Sequence, residues 1–121
     1  MKALSIRQPW ASLIIHGGKN IENRRWTTVY RGSLLIHASR SLDHAALERY
    51  PLHRFPVTLA YHERGGIIGI AELVDVVTES ESEWFEGPYG FVLANVRALP
   101  FISYRGVQGL FECGIEEQAH A

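Results

Sequence analysis

The chain has 121 residues, 46% of them hydrophobic and 21% charged, which is typical of one globular domain spanning residues 1–121. No apolar run approaches the length of a membrane span, and Arg7 and Gln8 interrupt the N-terminus before a signal peptide would form. The single cysteine, Cys113, excludes an internal disulfide and indicates a reducing compartment, so the sequence predicts a cytoplasmic location.

The net charge of −1 is distributed unevenly along the chain. Residues 1–65 contain ten Lys/Arg and four Asp/Glu, whereas residues 66–121 contain two Lys/Arg and nine Asp/Glu. The basic part permits a positive patch that attracts a phosphate backbone, and solvated surface charge is the alternative. The acidic stretch from Glu79 to Glu86 is either a solvated loop or a surface for a basic protein partner.

The order of apolar and polar residues at the start of the chain predicts a strand followed by a helix. Lys2 to Arg7 alternates apolar and polar residues and predicts a strand. Gln8-Pro9 then opens a helix, whose apolar stripe is followed by Gly17-Gly18, a pair that suits a helix C-terminus.

Further elements are predicted along the rest of the chain. The predicted strands are Asn20–Trp26, Gly32–Ala38, Gly66–Val77 and Phe91–Leu99, the last with an extended piece to Tyr104. Ser41–Asp43 starts a helix, Tyr50–Gly66 is a long connection, and Arg105–Phe111 is a turn that leads into a short helix. About six strands with two or three short helices predict a small α+β domain, and closure into a β-barrel would protect its edges.

The segment from Gly17 to Trp26 contains three charged residues that are candidates for a binding or catalytic site. Lys19 follows two glycines, and Glu22 and Arg24 lie on one face if the segment is a strand. Lys19 is a candidate for binding phosphate or for proton transfer, with an exposed turn lysine as the alternative. Glu22 either forms a structural ion pair with Arg24, or accepts from a base amino group or acts as a general base.

These residues resemble the ASCH family of the PUA-like superfamily. The family signature G-x-K-x-x-E-x-R is matched in full by Gly17, Lys19, Glu22 and Arg24. Flanking segments are also similar: Ser5–Trp10, Ile36–Ser39, Gly87–Phe91 and Arg105–Leu110. The resemblance covers nearly the whole chain. It implies a PUA-like β-barrel with a cleft lined by the signature residues, and work linked to RNA.

The resemblance also implies two activities that similar domains carry. One is cleavage of single-stranded RNA, and the other is amide hydrolysis of N4-acylated cytidines. The hydrolytic branch uses a lysine, a threonine and a glutamate, with the threonine three residues after the lysine. That position is Glu22 in this chain, so the nucleophilic hydroxyl is missing from its expected place.

Further candidates lie outside the signature. Glu72 shares a predicted strand face with Ile68, Ile70, Val74 and Val76, where a poorly solvated carboxylate would suit acid–base chemistry; a buried ion pair is the alternative. Arg7, Trp10, Tyr89, Arg105 and Gln108 are candidate ligand-binding residues at the cleft walls, because rings stack on bases and guanidinium groups bind phosphate. His37 is either a satisfied histidine or a proton-transfer group.

The leading hypothesis is an ASCH domain whose cleft binds RNA or a nucleotide. The candidate catalytic residues are Lys19, Glu22 and Glu72, and the candidate ligand-binding residues are Arg7, Trp10, Arg24, His37, Tyr89, Arg105 and Gln108. No cofactor is predicted, and the scattered histidines and lone cysteine predict no metal site. A metal-independent ribonuclease or N4-acylcytidine amidohydrolase is the first alternative, and a protein-interaction module is the second.

Overall fold

The computed structural model describes residues 1–49 and 62–115. This part of the chain contains six strands and two helices. In chain order they are β1 (Lys2–Gln8), α1 (Trp10–His16), β2 (Ile21–Arg24), β3 (Gly32–Leu42), α2 (His44–Arg49), β4 (Gly66–Val77), β5 (Tyr89–Ser103) and β6 (Leu110–Glu112). Most of the predicted connection from Tyr50 to Gly66 lies outside the described residues.

All six strands form one mixed sheet, in the order β2-β5-β4-β3-β1-β6. β1 and β3 run parallel, and the other neighbouring pairs are antiparallel. Among the described residues the two edge strands, β2 and β6, do not pair with each other, so the hydrogen-bonded ladder is not closed. The α+β class is therefore confirmed, and the predicted closed barrel is not.

The core lies on both faces of the sheet, because adjacent residues of a strand point to opposite faces. Leu4 of β1 belongs to one buried cluster, together with α1 and Phe91, whereas Ala3 belongs to the other, together with Leu99 and Phe111. Both clusters are built mainly from β1, β3, β4 and β5. This arrangement makes the centre of the sheet a rigid support for the polar residues at its ends.

Helix α1 begins and ends where the sequence predicts. Pro9 is its N-terminal cap residue, and the buried side chain of Gln8 accepts from the Ser12 N–H at 2.9 Å. At the other end the backbone N–H groups of Gly17 and Lys19 both donate to the carbonyl oxygen of Leu13. Gly18 has a φ of 76°, a left-handed conformation that glycine adopts without strain. The helix therefore delivers Lys19 at a fixed position.

The last part of the chain differs from the prediction. No helix follows Arg105, and Leu110–Glu112 instead pairs antiparallel with Lys2–Leu4 of β1. β5 also continues past Leu99 to Ser103 as one strand. Pro100 is tolerated there because it lies in an irregularity of the β4–β5 register, where its missing N–H leaves no regular ladder bond unmade.

Replacing Gly69 with alanine is expected to lower the free energy of unfolding by about 1–3 kcal/mol. A Cβ at this position would lie 2.4 Å from Ile15 Cδ1 and 2.7 Å from the Arg97 carbonyl oxygen, so the Ile15 side chain would have to rotate and the β5 backbone would have to shift. Urea unfolding measures the change. Gly114→Ala is the control, because its nearest contact would be the Tyr104 hydroxyl at 3.5 Å. Equal stability of both variants and the parent would show that β5 does not approach Gly69 closely.

Candidate functional site

Three charged side chains of the signature segment form one buried cluster. Glu22 accepts from Lys19 through Oε1 at 3.2 Å and from Arg24 through Oε2 at 3.2 Å. Lys19 is only 3% exposed, and Glu22 is 8% exposed. Glu22 and Arg24 therefore share a face of β2, as predicted, and the alternative of an exposed turn lysine at position 19 is wrong.

The cluster is tied to the protein backbone on both sides. Lys19 Nζ also donates to the Ile21 carbonyl oxygen, and it lies 5.5 Å from the centroid of the Trp10 ring. Arg24 donates to the carbonyl oxygen of Ser5 at 2.7 Å, whereas its Nε is buried without a hydrogen-bond partner among the described residues. Two cations on one carboxylate leave an excess positive charge in this cluster.

A second polar cluster is centred on Asp43, just before α2. Its Oδ2 accepts from Trp10 Nε1 at 3.0 Å and lies 3.5 Å from Arg7, and its Oδ1 accepts from the Ala46 N–H at 3.1 Å. Partial burial alone would raise the pKa of Asp43. The hydrogen bond from Trp10 and that from the Ala46 N–H, followed by the charge of Arg7, outweigh this effect and lower the pKa below its ordinary value of 3.8.

Asp43 is therefore expected to make stability depend on pH in the acid range. Because its folded-state pKa is lowered, its contribution is complete above pH 3.8 and is lost as the pH falls through the folded-state pKa. Urea unfolding of the parent and of Asp43→Asn at pH 7 and at steps down to about pH 2 checks this prediction. The difference between the two proteins should shrink on acidification; a constant difference would contradict it.

His37 is buried and bonded at both ring nitrogens. Nε2 faces the Tyr104 carbonyl oxygen at 2.7 Å, and since a carbonyl only accepts, Nε2 carries the hydrogen. Nδ1 lies 3.2 Å from Ser5 Oγ. A Cβ on Gly106 would lie 2.3 Å from the ring, so the backbone after β5 packs directly on His37. The imidazole thus holds in place the segment that carries Arg105 and Gln108.

The loop between β4 and β5 is attached to the start of β2 by two asparagines. Asn20 Oδ1 accepts from Ser82 at 2.8 Å. Asn23 donates to the Trp84 carbonyl oxygen and accepts from the N–H groups of Glu86 and Gly87 at 2.8 and 3.0 Å. Arg49 at the end of α2 lies 3.8 Å from Glu86. These contacts fix the acidic loop beside the signature segment.

These four groups of residues surround a cleft of about 1000 Å³. Eight of the ten candidates from the sequence line it: Arg7, Trp10, Lys19, Glu22, Arg24, His37, Arg105 and Gln108. The structure adds further lining residues that the sequence did not single out as site residues: Ser5, Asn23, Ser39, Arg40, Ser41, Asp43, Arg49, Glu83, Trp84 and Glu86. No motif or spacing in the sequence marks this second set, because each member is an ordinary residue within its own segment.

Glu72 and Tyr89 do not line the cleft. Glu72 is exposed and accepts from Asn95 Nδ2 at 3.2 Å, so the expected poorly solvated carboxylate is wrong. In this half of β4 only Leu73 is fully buried, and the face that Glu72 shares with Val74 is turned to solvent. Tyr89 is half-buried and packs against the core cluster that contains Phe91.

Two further features were searched among residues 1–49 and 62–115. These residues contain no group of three or more His, Cys, Asp and Glu side chains placed to hold a metal ion. They also contain no helix long and apolar enough to cross a membrane.

Similar proteins were found by sequence. The chain is 28% identical over 110 residues to human activating signal cointegrator 1, an alignment that covers 76% of this chain and 18% of that protein. It is 53% identical over 36 residues to the mouse protein of the same name, covering 30% of this chain and 6% of that protein. The chain thus spans less than a fifth of the length of these relatives.

The fold is similar to that of ZmASCH from Zymomonas mobilis. Two single-residue variants of that protein each give a TM-score of 0.57 at 18% identity, covering 98% of this chain and 91% and 89% of theirs. Another structure of ZmASCH gives a TM-score of 0.53 at 16% identity, and the match covers 98% of this chain and 89% of that one. The model of the ASCH domain matches residues 4–110, and the chain therefore belongs to the ASCH domain family.

Proposed function

We propose that the cleft binds RNA by capturing one unpaired nucleotide of a single strand. The observation that carries this proposal is a pair of arginines on the cleft wall, Arg40 and Arg105, which form no ion pair with any described residue. Two indoles, Trp10 and Trp84, line the same cleft. Cationic side chains for phosphate and aromatic rings for bases are the combination that single-stranded nucleic acids require.

The charge balance of the cleft supports a polyanionic ligand. Six cationic side chains line the cleft, against four carboxylates. Arg7 and Arg49 are paired with Asp43 and Glu86, and Glu22 is shared by two cations. The remaining positive charge lies at Arg40 and Arg105 and in the Lys19–Arg24 cluster, which would attract phosphates at a rate and affinity that fall with salt.

The shape of the site favours single strands over duplexes. A-form RNA hides its base edges in a deep, narrow major groove, so side chains in a cleft cannot reach them unless a nucleotide is unpaired. Most of the residues that line the cleft are polar or charged, which suits a nucleotide rather than an apolar ligand. Selectivity for an unpaired base would come from these polar groups, and affinity from the arginines.

Fluorescence anisotropy with a short labelled single-stranded RNA tests the proposal. We expect binding at about 50 mM salt that weakens steeply by about 200 mM, and weaker binding of a blunt duplex of the same sequence. If the single strand does not bind at low salt, or the duplex binds as tightly, the proposal is wrong.

Binding is proposed here rather than cleavage because of the state of the two candidate carboxylates. Both oxygens of Glu22 already accept from cations, and Glu72 lies outside the cleft. The bound RNA is recovered from the anisotropy experiment, incubated with a chelator present, and run on a denaturing gel. Intact RNA supports binding alone, whereas cleavage that disappears in Lys19→Ala would support the enzymatic alternative.

A further inference from the structure

Three charged side chains of the cleft form no ion pair with a described residue, and they are separated along the sheet. Gly66 at the start of β4 pairs with Ala38 of β3 and with Ser103 of β5, so these three strands meet at one end of the sheet. Arg40 follows Ala38 by two residues, and Arg105 follows Ser103 by two residues. The guanidinium of Arg40 also packs against Gly65. Both unpaired arginines therefore lie at the same end.

The unpaired carboxylate lies at the opposite end. Val77, the last residue of β4, pairs with Gly90 near the start of β5, and the acidic loop connects these two strands. Glu83 of this loop lines the cleft and forms no ion pair with a described residue, whereas Glu86 lies near Arg49. Trp84, next in the chain, lines the cleft beside it. One end of β4 and β5 thus carries two arginines that form no ion pair with a described residue. Glu83 and Trp84 lie at the other end, where the nearby cations Lys19, Arg24 and Arg49 are held by Glu22 and Glu86.

We propose, on the basis of the proposed function, that this polarity orients the captured nucleotide and selects its base. The phosphates lie at Arg40 and Arg105, and the base lies at Glu83 and Trp84. A base that carries an exocyclic amino group (adenine, cytosine or guanine) is then preferred over uracil. The site therefore takes amino-bearing bases as its specific ligand.

The preference follows from the donors that each base presents. Adenine and cytosine carry an amino group with two N–H bonds, and a carboxylate accepts from such groups. Uracil has one ring N–H, which lies between two carbonyl oxygens, and these oxygens repel an approaching carboxylate. Stacking on an indole does not discriminate strongly among bases, so the choice depends on Glu83.

Binding of three labelled RNAs tests the inference: a short oligouridylate, and the same oligomer with one central adenosine or one central cytidine. We expect the substituted oligomers to bind about fivefold more tightly than oligouridylate. In Glu83→Gln this preference should fall to less than about twofold, because the amide has lost the negative charge and half of its acceptors.

Glu81→Gln is the matched control, because Glu81 is exposed in the same loop and does not line the cleft. It removes the same charge and should keep the preference. Equal loss of the preference in both variants would overturn the inference, as would equal binding of all three RNAs by the parent. In the last case the RNAs still bind and the proposed function stands, whereas failure of every RNA to bind would overturn the proposed function itself.

Arg105→Ala tests the orientation independently of Glu83. This variant should weaken the binding of all three RNAs by a similar factor, because the Arg105 side chain contacts phosphate and not the base. Loss of the preference in Arg105→Ala, with the affinity for oligouridylate unchanged, would place the base at the end with the two arginines and overturn the proposed orientation.

Discussion

Replacing Glu22 with alanine is expected to lower the free energy of unfolding by about 3–5 kcal/mol, the typical cost of breaking a buried ion pair from one side. Lys19 is 3% exposed and, within residues 1–49 and 62–115, would keep only a carbonyl oxygen and the Trp10 ring as partners. Arg24 would lose its only ion pair among the described residues, and its Nε is already without a partner. An uncompensated buried ammonium is costly, and this cost rather than the lost attraction dominates the expected change.

A double-mutant cycle separates the cost of the uncompensated ammonium from the loss of the other contacts of Glu22. Lys19→Met removes the ammonium and keeps an apolar stem, so the double variant Lys19→Met/Glu22→Ala leaves no buried ammonium without its carboxylate. We expect urea unfolding to show the double variant less destabilised than the sum of the single variants by more than about 1 kcal/mol. An additive result would mean that Lys19 and Glu22 do not interact in the folded protein.

The control for the Glu22 prediction is an exposed ion pair, the shortest one among the described residues. Lys2 and Glu112 approach to 2.8 Å, but Glu112 is 68% exposed, so water already compensates both charges. The pKa of Glu112 is lowered by the hydrogen bond and charge of Lys2, yet Glu112→Ala should change stability little. A large effect at Glu112 and a small one at Glu22 would contradict the importance of burial.

The signature segment illustrates what the sequence could predict. The period of two placed Glu22 and Arg24 on one face, and the two glycines placed Lys19 at the end of α1. These are local relations, in which a few residues and ordinary backbone geometry determine the outcome. The α+β class and the family followed from the same kind of short-range pattern.

The rest of the cleft depends on contacts between distant residues. Asn23 holds Glu86, 63 positions later, and Asp43 receives the indole N–H of Trp10, 33 positions earlier. Residue types and spacing do not specify such pairs, because each partner is an ordinary polar residue in its own segment. The same limit explains Glu72: the register of β4 against β5 shifts on both sides of this residue, so alternation alone assigned it the wrong environment.

Removing both unpaired arginines is expected to give the largest loss of RNA binding that leaves the fold intact. The double variant Arg40→Ala/Arg105→Ala should bind the single-stranded RNA about 10- to 100-fold more weakly at low salt, since each arginine would lose a charge-assisted contact with phosphate. The slope of log affinity against log salt should also fall by about 1.4, or about 0.7 for each phosphate contact. Anisotropy titrations at several salt concentrations measure both quantities.

Arg97→Ala is the matched control for this loss, because Arg97 is an exposed arginine of β5 that does not line the cleft. It changes the net charge by one, as each single variant does, and should leave both the affinity and the salt slope close to those of the parent. Long-range attraction by the whole protein would reduce binding in Arg97→Ala as much as in Arg105→Ala, whereas phosphate contacts in the cleft reduce it only in Arg40→Ala and Arg105→Ala. Equal effects at all three positions would therefore assign RNA binding to net charge and show that the cleft is not the RNA site. A binding site is defined by the positions at which a charge matters, and not by the charge alone.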